Sequence, residues 1–321
     1  VPVYSHSRIA SFEKCPLQYR FRYIDRIKSD IRGIEAFMGN RVHEALEHLY
    51  REKGAGRVAP VDEILGVYAA RWDAEYAAET VRIVKKEFNA ADYQAIGERC
   101  LRAYHARHAP FDGGTTLGLE KKFQFALDPS GRFQLMGFID RLSRAAEGVY
   151  EVHDYKTSAT LPSAEDLRRD RQLTLYQMAV SALYPDAREI RLIWHYLAHD
   201  RDLESRRTEA EIAAHRAATL RLIGAIEAAR EHPPHESALC RWCDYRDICP
   251  AQKDKAAAER AAEAAAGAMA VGTTSAATTA AGMPAADRAP RPEPVKRPSA
   301  DWGSTAVGEQ GSLFPRPRHD A

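Results

Sequence analysis

Long apolar runs are missing from this chain. No stretch of its 321 residues approaches the roughly 18 consecutive apolar positions that a membrane helix needs, so no spanning helix is expected. Charge of one sign is missing too: 46 Lys and Arg face 45 Asp and Glu, a formal charge of +1. That excludes a globally basic surface, so any nucleic-acid contact must come from local clusters. The first residues, Val1 to Arg8, lack a basic stretch leading into an apolar one, so no secretory signal is visible and the cytoplasm is the expected compartment. Cysteine is scarce, five in all; in that compartment the five read as metal ligands or free thiols rather than disulfides. No G-x-x-x-x-G-K-[ST] occurs, which excludes a nucleotide-driven helicase motor within the chain itself. From about residue 251 onward, aliphatic side chains larger than Ala become rare. Such a segment cannot bury enough apolar surface to offset its ordering entropy.

What is present reads as a folded region over 1–250 and a low-complexity, mostly disordered tail over 251–321, with helix continuing to about 266 at its start. Residues 1–110 read as helical: 7–15 up to Pro16, 36–53 with Phe37, Val42, Leu46, Leu49 and Tyr50 at helical spacing, then 61–85 and 90–108. The helices of 36–110 form an insertion at the front of the core. After the turn cluster Phe111, Asp112, Gly113, Gly114 the period changes to two. Strands are expected at 116–127, 132–145 and 149–157, joined by hairpin turns at 128–131 and 146–148. A helix over 163–184 with Asp166 in a capping box, a strand over 188–198 and a helix over 207–231 complete the pattern. The order implies an α/β fold.

The strongest chemical signal is Gly137-Phe138-Ile139-Asp140 followed by Asp154-Tyr155-Lys156-Thr157. Residues two apart in a strand share a face, so Asp154 and Lys156 point the same way. Pairing of 132–145 with 149–157 brings Asp140 across from them. Two neighbouring carboxylates repel unless a cation joins them, and Mg²⁺ or Mn²⁺ prefers such oxygen ligands. The Tyr155 carbonyl is a further candidate oxygen. Lys156 is positioned to orient a water or to stabilise developing charge.

Cys240, Cys243 and Cys249 form C-x2-C-x5-C, and Cys15 in Cys15-Pro16-Leu17-Gln18-Tyr19 is the candidate fourth thiolate. Four thiolates suit zinc or an iron–sulfur cluster equally by chemistry alone. Cys100 reads as a small buried hydrophobe. Arg20, Arg22, Arg26 and Lys28 alternate with Tyr19, Phe21 and Tyr23; such a stretch suits single-stranded nucleic acid or a solvated helix face.

These motifs resemble the PD-(D/E)XK nucleases of the RecB/AddB type, over roughly residues 4–250. The resemblance implies a restriction-endonuclease-like core, a central mixed sheet flanked by helices. It implies that Asp140 and Asp154 bind Mg²⁺ or Mn²⁺ and that Lys156 assists catalysis. Gly39-Asn40-Arg41-Val42-His43-Glu44-Ala45-Leu46 is similar to the family's helical histidine segment, which makes His43 a metal ligand. Gln172 and Tyr176 match its Q-x-x-x-Y motif, whose members touch DNA or brace the site. Glu120 stands on the first strand, where the family often carries a carboxylate, and no role is assigned to it. The cysteine layout resembles the iron-staple branch, in which Cys15, Cys240, Cys243 and Cys249 would hold a [4Fe-4S] cluster, with zinc as the alternative. The tail's Gln310-Gly311-Ser312-Leu313-Phe314 resembles the peptide by which bacterial repair proteins bind the sliding clamp, with Gly311 departing from the usual Leu. The function these likenesses imply is a metal-dependent DNA nuclease, an exonuclease of recombination or repair that a helicase could partner. The alternative is a non-catalytic DNA-binding or scaffolding subunit of a helicase–nuclease complex.

Overall fold

A computed structural model describes residues 2–262. The chain divides into two compact units, the first running to Tyr245 and the second starting at Arg246. The tail peptide Gln310, Leu313, Phe314 lies outside the described residues. In the second unit, residues 253–262 are helical, and Arg246 and Arg260 pair with Glu259 and Asp247 respectively.

The first unit begins with β1 (Val3–Tyr4), α1 (His6–Lys14) and α2 (Pro16–Tyr19). Pro16 ends one helix and opens the next, because a residue without an N–H suits the first helical turn. β2 (Arg32–Gly33) leads to α3 (Ile34–Gly54) and α4 (Val61–Glu75). The helix expected over 61–85 stops at Glu75; the chain then forms β3 (Val81–Arg82), which pairs in parallel with β2. α5 (Ala90–His108) starts on a capping box between Asn89 and Asp92. β4 (Thr115–Ala126), β5 (Gln134–Ala146) and β6 (Val149–Lys156) follow. Gly148, at φ +71, supplies the left-handed residue that the β5–β6 turn needs.

The single helix expected over 163–184 is two: α6 (Ala164–Arg169) and α7 (Arg171–Leu183). Asp170 breaks it. Its backbone is extended and its carboxylate caps α7 by accepting from Leu173 N at 2.7 Å. β7 (Glu189–Tyr196), β8 (Arg201–Ser205) and α8 (Glu209–Ala228) complete the unit. β8 was not anticipated; its residues are mostly charged and mostly exposed, so no apolar alternation marks it.

The sheet runs β4, β5, then β6, β7 and β8, with short β1 parallel to the start of β5. It is mixed: β6 and β7 are parallel, and the β4–β5, β5–β6 and β7–β8 pairs are antiparallel. One apolar core lies between the sheet and α7 and α8 around Leu173, Val180, Trp194 and Ile223. A second joins α3, α4 and α5 around Phe37, Leu46, Tyr68 and Leu101, and includes Tyr155 from the sheet. Helices on both faces of a mixed sheet are the restriction-endonuclease-like arrangement.

The ladder from β5 to β6 ends at the Arg141–His153 pair, and that from β1 to β5 ends at Leu135. β5 and β6 therefore part where Asp140 and Asp154 stand. Gly137 faces Phe123 across β4 and β5, and a Cβ there would meet the ring at 2.5 Å. The first residue of the Gly-x-x-Asp motif is thus required by packing.

Candidate active site

Where β6 leaves β5, the amide of Tyr155 has lost its strand partner and donates instead to Asp140 Oδ2 at 2.9 Å. This one bond fixes the carboxylate at the fork. The Tyr155 carbonyl is 2.8 Å from His43 Nε2, on α3. A carbonyl only accepts, so Nε2 carries the proton and Nδ1 of the neutral ring is a lone pair. Nδ1 lies 3.4 Å from Asp140 Oδ2. Tyr155 therefore positions both groups through its backbone, whatever its side chain.

Glu120 completes the group. In the β4–β5 register it stands opposite Asp140, between the pairs Leu119–Arg141 and Lys121–Ile139. Donor atoms of His43, Glu120 and Asp140 all lie within 4.8 Å of one another. Directly opposed like charges destabilise a sheet, and Glu120 also has φ +44, a conformation that costs a non-glycine residue about 1–3 kcal/mol.

Asp154 and Lys156 share one face of β6, as the spacing predicts, the face on which Asp140 lies across from them. Lys156 Nζ is 2.7 Å from Asp154 Oδ2, and both side chains are buried. Asp154 Oδ2 is sealed from water and makes no aligned hydrogen bond. Burial pushes the Asp154 carboxyl up to about 6; Lys156 opposes the shift and Asp140 adds to it. Burial works to lower Lys156, but the Asp154 carboxylate outweighs it and the ammonium is held above its ordinary value. Lys156 Nζ also donates to Gln172 Oε1 at 3.1 Å, and Gln172 Nε2 donates to Tyr176 Oη at 2.8 Å. Both are buried, so Q-x-x-x-Y braces the lysine from within.

The Tyr155 side chain points to the other face. Its hydroxyl accepts from Arg141 Nε at 3.1 Å, and the Arg141 guanidinium lies 4.0 Å from the Tyr50 ring centre. The buried arginine next to Asp140 is thus held by aromatic faces and hydroxyls.

Among the cysteines of the first unit, Cys15 Sγ accepts from His235 N at 3.3 Å and Cys240 Sγ from Ser237 N at 3.4 Å. Burial pushes the Cys243 thiol up to about 12, and charge on Cys15 or Cys240 would raise it further, so the three share one neighbourhood. Cys249 belongs to the second unit. Cys100 is buried in the helical core, as expected. The basic and aromatic stretch near the N-terminus is divided: Tyr19 is buried, Phe21 meets the Tyr245 ring and Arg22 binds Asp244 at 2.5 Å, whereas Arg20, Arg26 and Lys28 are exposed.

The sequence profile of the PD-(D/E)XK nuclease superfamily matches residues 3–250. The chain belongs to that superfamily. A search of curated proteins returns no match. Solved structures that resemble it include the protein SSO0001, at 16% identity and TM-score 0.35, covering 78% of this chain and 86% of its own, and an exonuclease candidate from Eubacterium rectale, at 12% identity and TM-score 0.45, covering 75% and 86%. Among the described residues, no helix is long and apolar enough to cross a membrane.

Proposed function

We propose that this chain hydrolyses phosphodiester bonds of DNA with Mg²⁺ or Mn²⁺, as an exonuclease of recombination or repair. The observation that carries the reading is the convergence of His43, Glu120 and Asp140 beside the buried Asp154–Lys156 pair. One imidazole with carboxylate oxygens suits a hard divalent cation. Glu120 and Asp140 stand opposite each other on neighbouring strands, and such an ion would balance their like charge. His43, Glu120, Asp140 and Asp154 would hold it, with the Tyr155 carbonyl as a further oxygen. When bound, the ion supplies Lewis-acid polarisation of a phosphodiester oxygen and acidifies a water.

The residues themselves do the rest. Lys156 presents a permanent ammonium to the charge that grows on the phosphate oxygens, or orients the attacking water. Gln172, itself fixed by Tyr176, limits the rotamers of Lys156 and leaves its remaining protons to face substrate. Asp154 keeps the lysine charged. Asp140 holds its position through the Tyr155 amide.

The iron–sulfur reading rests on the C-x2-C-x5-C pattern with Cys15, and is supported by the shared neighbourhood of Cys15, Cys240 and Cys243. The sequence supplies Cys249 as the remaining ligand. A [4Fe-4S] cluster would tie the first helices to the end of the core. A helicase partner and, through Gln310, Leu313 and Phe314, a sliding clamp are the partners the reading includes.

The test uses anaerobically purified protein on end-labelled single- and double-stranded DNA with Mg²⁺, Mn²⁺ or EDTA. Cutting that needs the ion and disappears in Asp140→Asn and Lys156→Ala is expected. Equal cutting by wild type and Lys156→Ala would remove the assignment.

A further inference from the structure

On the face of the sheet away from Lys156, a second group of donors converges. His195 on β7 and Asp202 on β8 are a directly opposed cross-strand pair, so their side chains share one face. His108, in the last turn of α5, reaches the same point. Ligand atoms of His108, His195 and Asp202 all lie within 4.8 Å of one another. His195 Nδ1 is 2.7 Å from Asp202 Oδ1, and His108 Nε2 is 3.2 Å from Asp202 Oδ2. His108 Nε2 is sealed from water and makes no aligned hydrogen bond.

Both rings are held in place. The Tyr104 ring lies 4.2 Å from His108, and Tyr155 stacks on His195 at 5.1 Å. His195 also has an outer shell. Its Nε2 is 2.9 Å from His153 Nδ1, and His153 Nε2 is 2.9 Å from Ser143 Oγ, which donates to Glu151 Oε2 at 3.2 Å. If each N–H points along that chain toward Glu151, every group in it is satisfied. His195 Nδ1 is then a lone pair facing a carboxylate oxygen, and in that tautomer a cation would hold the two acceptors together. A metal-bound histidine passing its other N–H to a chain that ends on a carboxylate is the usual outer arrangement of such sites.

We propose that His108, His195 and Asp202 form a binding site for a divalent transition ion of the zinc class, separate from the nuclease centre. Two imidazoles and a carboxylate match zinc's ligand preference. Arg107 donates to Asp202 Oδ1 at 3.0 Å, which holds the carboxylate in place. His108 and Asp202 are partly exposed, which leaves a path for the ion and for a solvent ligand. The ion's role is to staple the end of α5, and with it the helical region carrying His43, to the β7–β8 edge.

The rival arrangement reverses the tautomers and places an ordinary proton between His195 and Asp202. It predicts no zinc dependence. The experiment compares full-length wild type, His108→Gln, Asp202→Asn and Asp140→Asn, purified anaerobically and dialysed against Zn²⁺ in excess Mg²⁺. Bound zinc per chain and Tm are measured for each, with circular dichroism to verify folding. The expected result is one zinc fewer in His108→Gln and Asp202→Asn, affinity weaker by at least about 10-fold, and loss of a zinc-dependent rise in Tm. Asp140→Asn keeps that zinc, which separates this site from the nuclease centre. Equal zinc content and equal Tm response in wild type and His108→Gln overturn the proposal. Anomalous scattering at the zinc edge from wild-type crystals soaked in zinc gives an answer free of variants: a peak between His108 and His195 supports the site, and its absence refutes it.

Discussion

At the residue scale, a buried carboxyl and ammonium share one β-strand face, and their energetics are testable without substrate. Lys156→Ala should lower cutting by roughly 10²–10³-fold, the usual cost of removing one group that stabilises developing charge. Single-turnover assays at saturating DNA would check this, and DNA binding should persist. Asp154 makes a pH prediction. Its carboxyl is raised from 3.8 to about 6 by burial first of all. Between those values the folded chain holds a proton that the unfolded chain has released. The stability this group contributes is therefore fully present below about pH 4 and lost as pH rises through 6. The loss is on the order of 2–3 kcal/mol. Urea denaturation in EDTA at pH 4.5 and 7.5 should show wild type losing ground to Asp154→Asn as the pH rises. Identical pH dependence of the two proteins would contradict the burial argument. Mg²⁺ or Mn²⁺ should narrow the gap, because an ion that binds only the folded, ionised site stabilises it.

At the scale of elements, the fork between β5 and β6 depends on a tight contact behind it. Gly137 lies under the Phe123 ring, and a Cβ would come within 2.5 Å. Gly137→Val should cost about 1–3 kcal/mol through overpacking. Phe123→Ala in the same chain should recover part of that loss, and a double-mutant cycle by chemical denaturation measures the coupling. Additive losses would mean that the ring and the glycine do not constrain each other. The break before α7 gives a second prediction. Asp170→Ala removes a cap and should destabilise the protein by roughly 1 kcal/mol. Because α7 carries Gln172 and Tyr176, the same change should lower activity more than DNA affinity. Periodicity showed that helix and strand alternate here, and placed β4, β5 and β6 to within a residue or two. It did not show the break at Asp170, because an Asp inside an amphipathic run looks like one more exposed helical residue.

At the scale of the whole molecule, the cysteine reading predicts a cooperative effect. Ligation joining Cys15 to Cys240 would close a loop of more than 200 residues, and the chain-entropy argument for such closure gives roughly 5 kcal/mol. Cys15→Ser should therefore abolish the visible absorption of anaerobically purified protein and lower Tm by many degrees. A colourless wild-type preparation holding zinc at these thiols would assign the same staple to the other metal. The segment around Cys240 and Cys243 is tied to the front of the chain by protein contacts as well: Arg82 donates to the Cys243 carbonyl at 3.0 Å and Tyr245 Oη to the Ile27 carbonyl at 3.0 Å. Loss of the cluster should thus loosen this region without unfolding the sheet, which limited proteolysis would register.

The chain's order of residues was enough to determine the α/β class, the shared face of Asp154 and Lys156, the pairing of Gln172 with Tyr176, and His43 as a partner of the acids. The first three follow from period two in strands and period 3.6 in helices, whereas His43 followed only from the likeness of its segment to the family's helical histidine motif. The resemblance pointed to Glu120 without a role, and only the β4–β5 register brought it beside Asp140 and His43. The grouping of His108, His195 and Asp202 was equally hidden. It needs the end of α5 to dock on a hairpin whose second strand has no apolar alternation. Contacts between elements far apart in the chain depend on how sheets and helices pack, and packing is decided by the whole core at once.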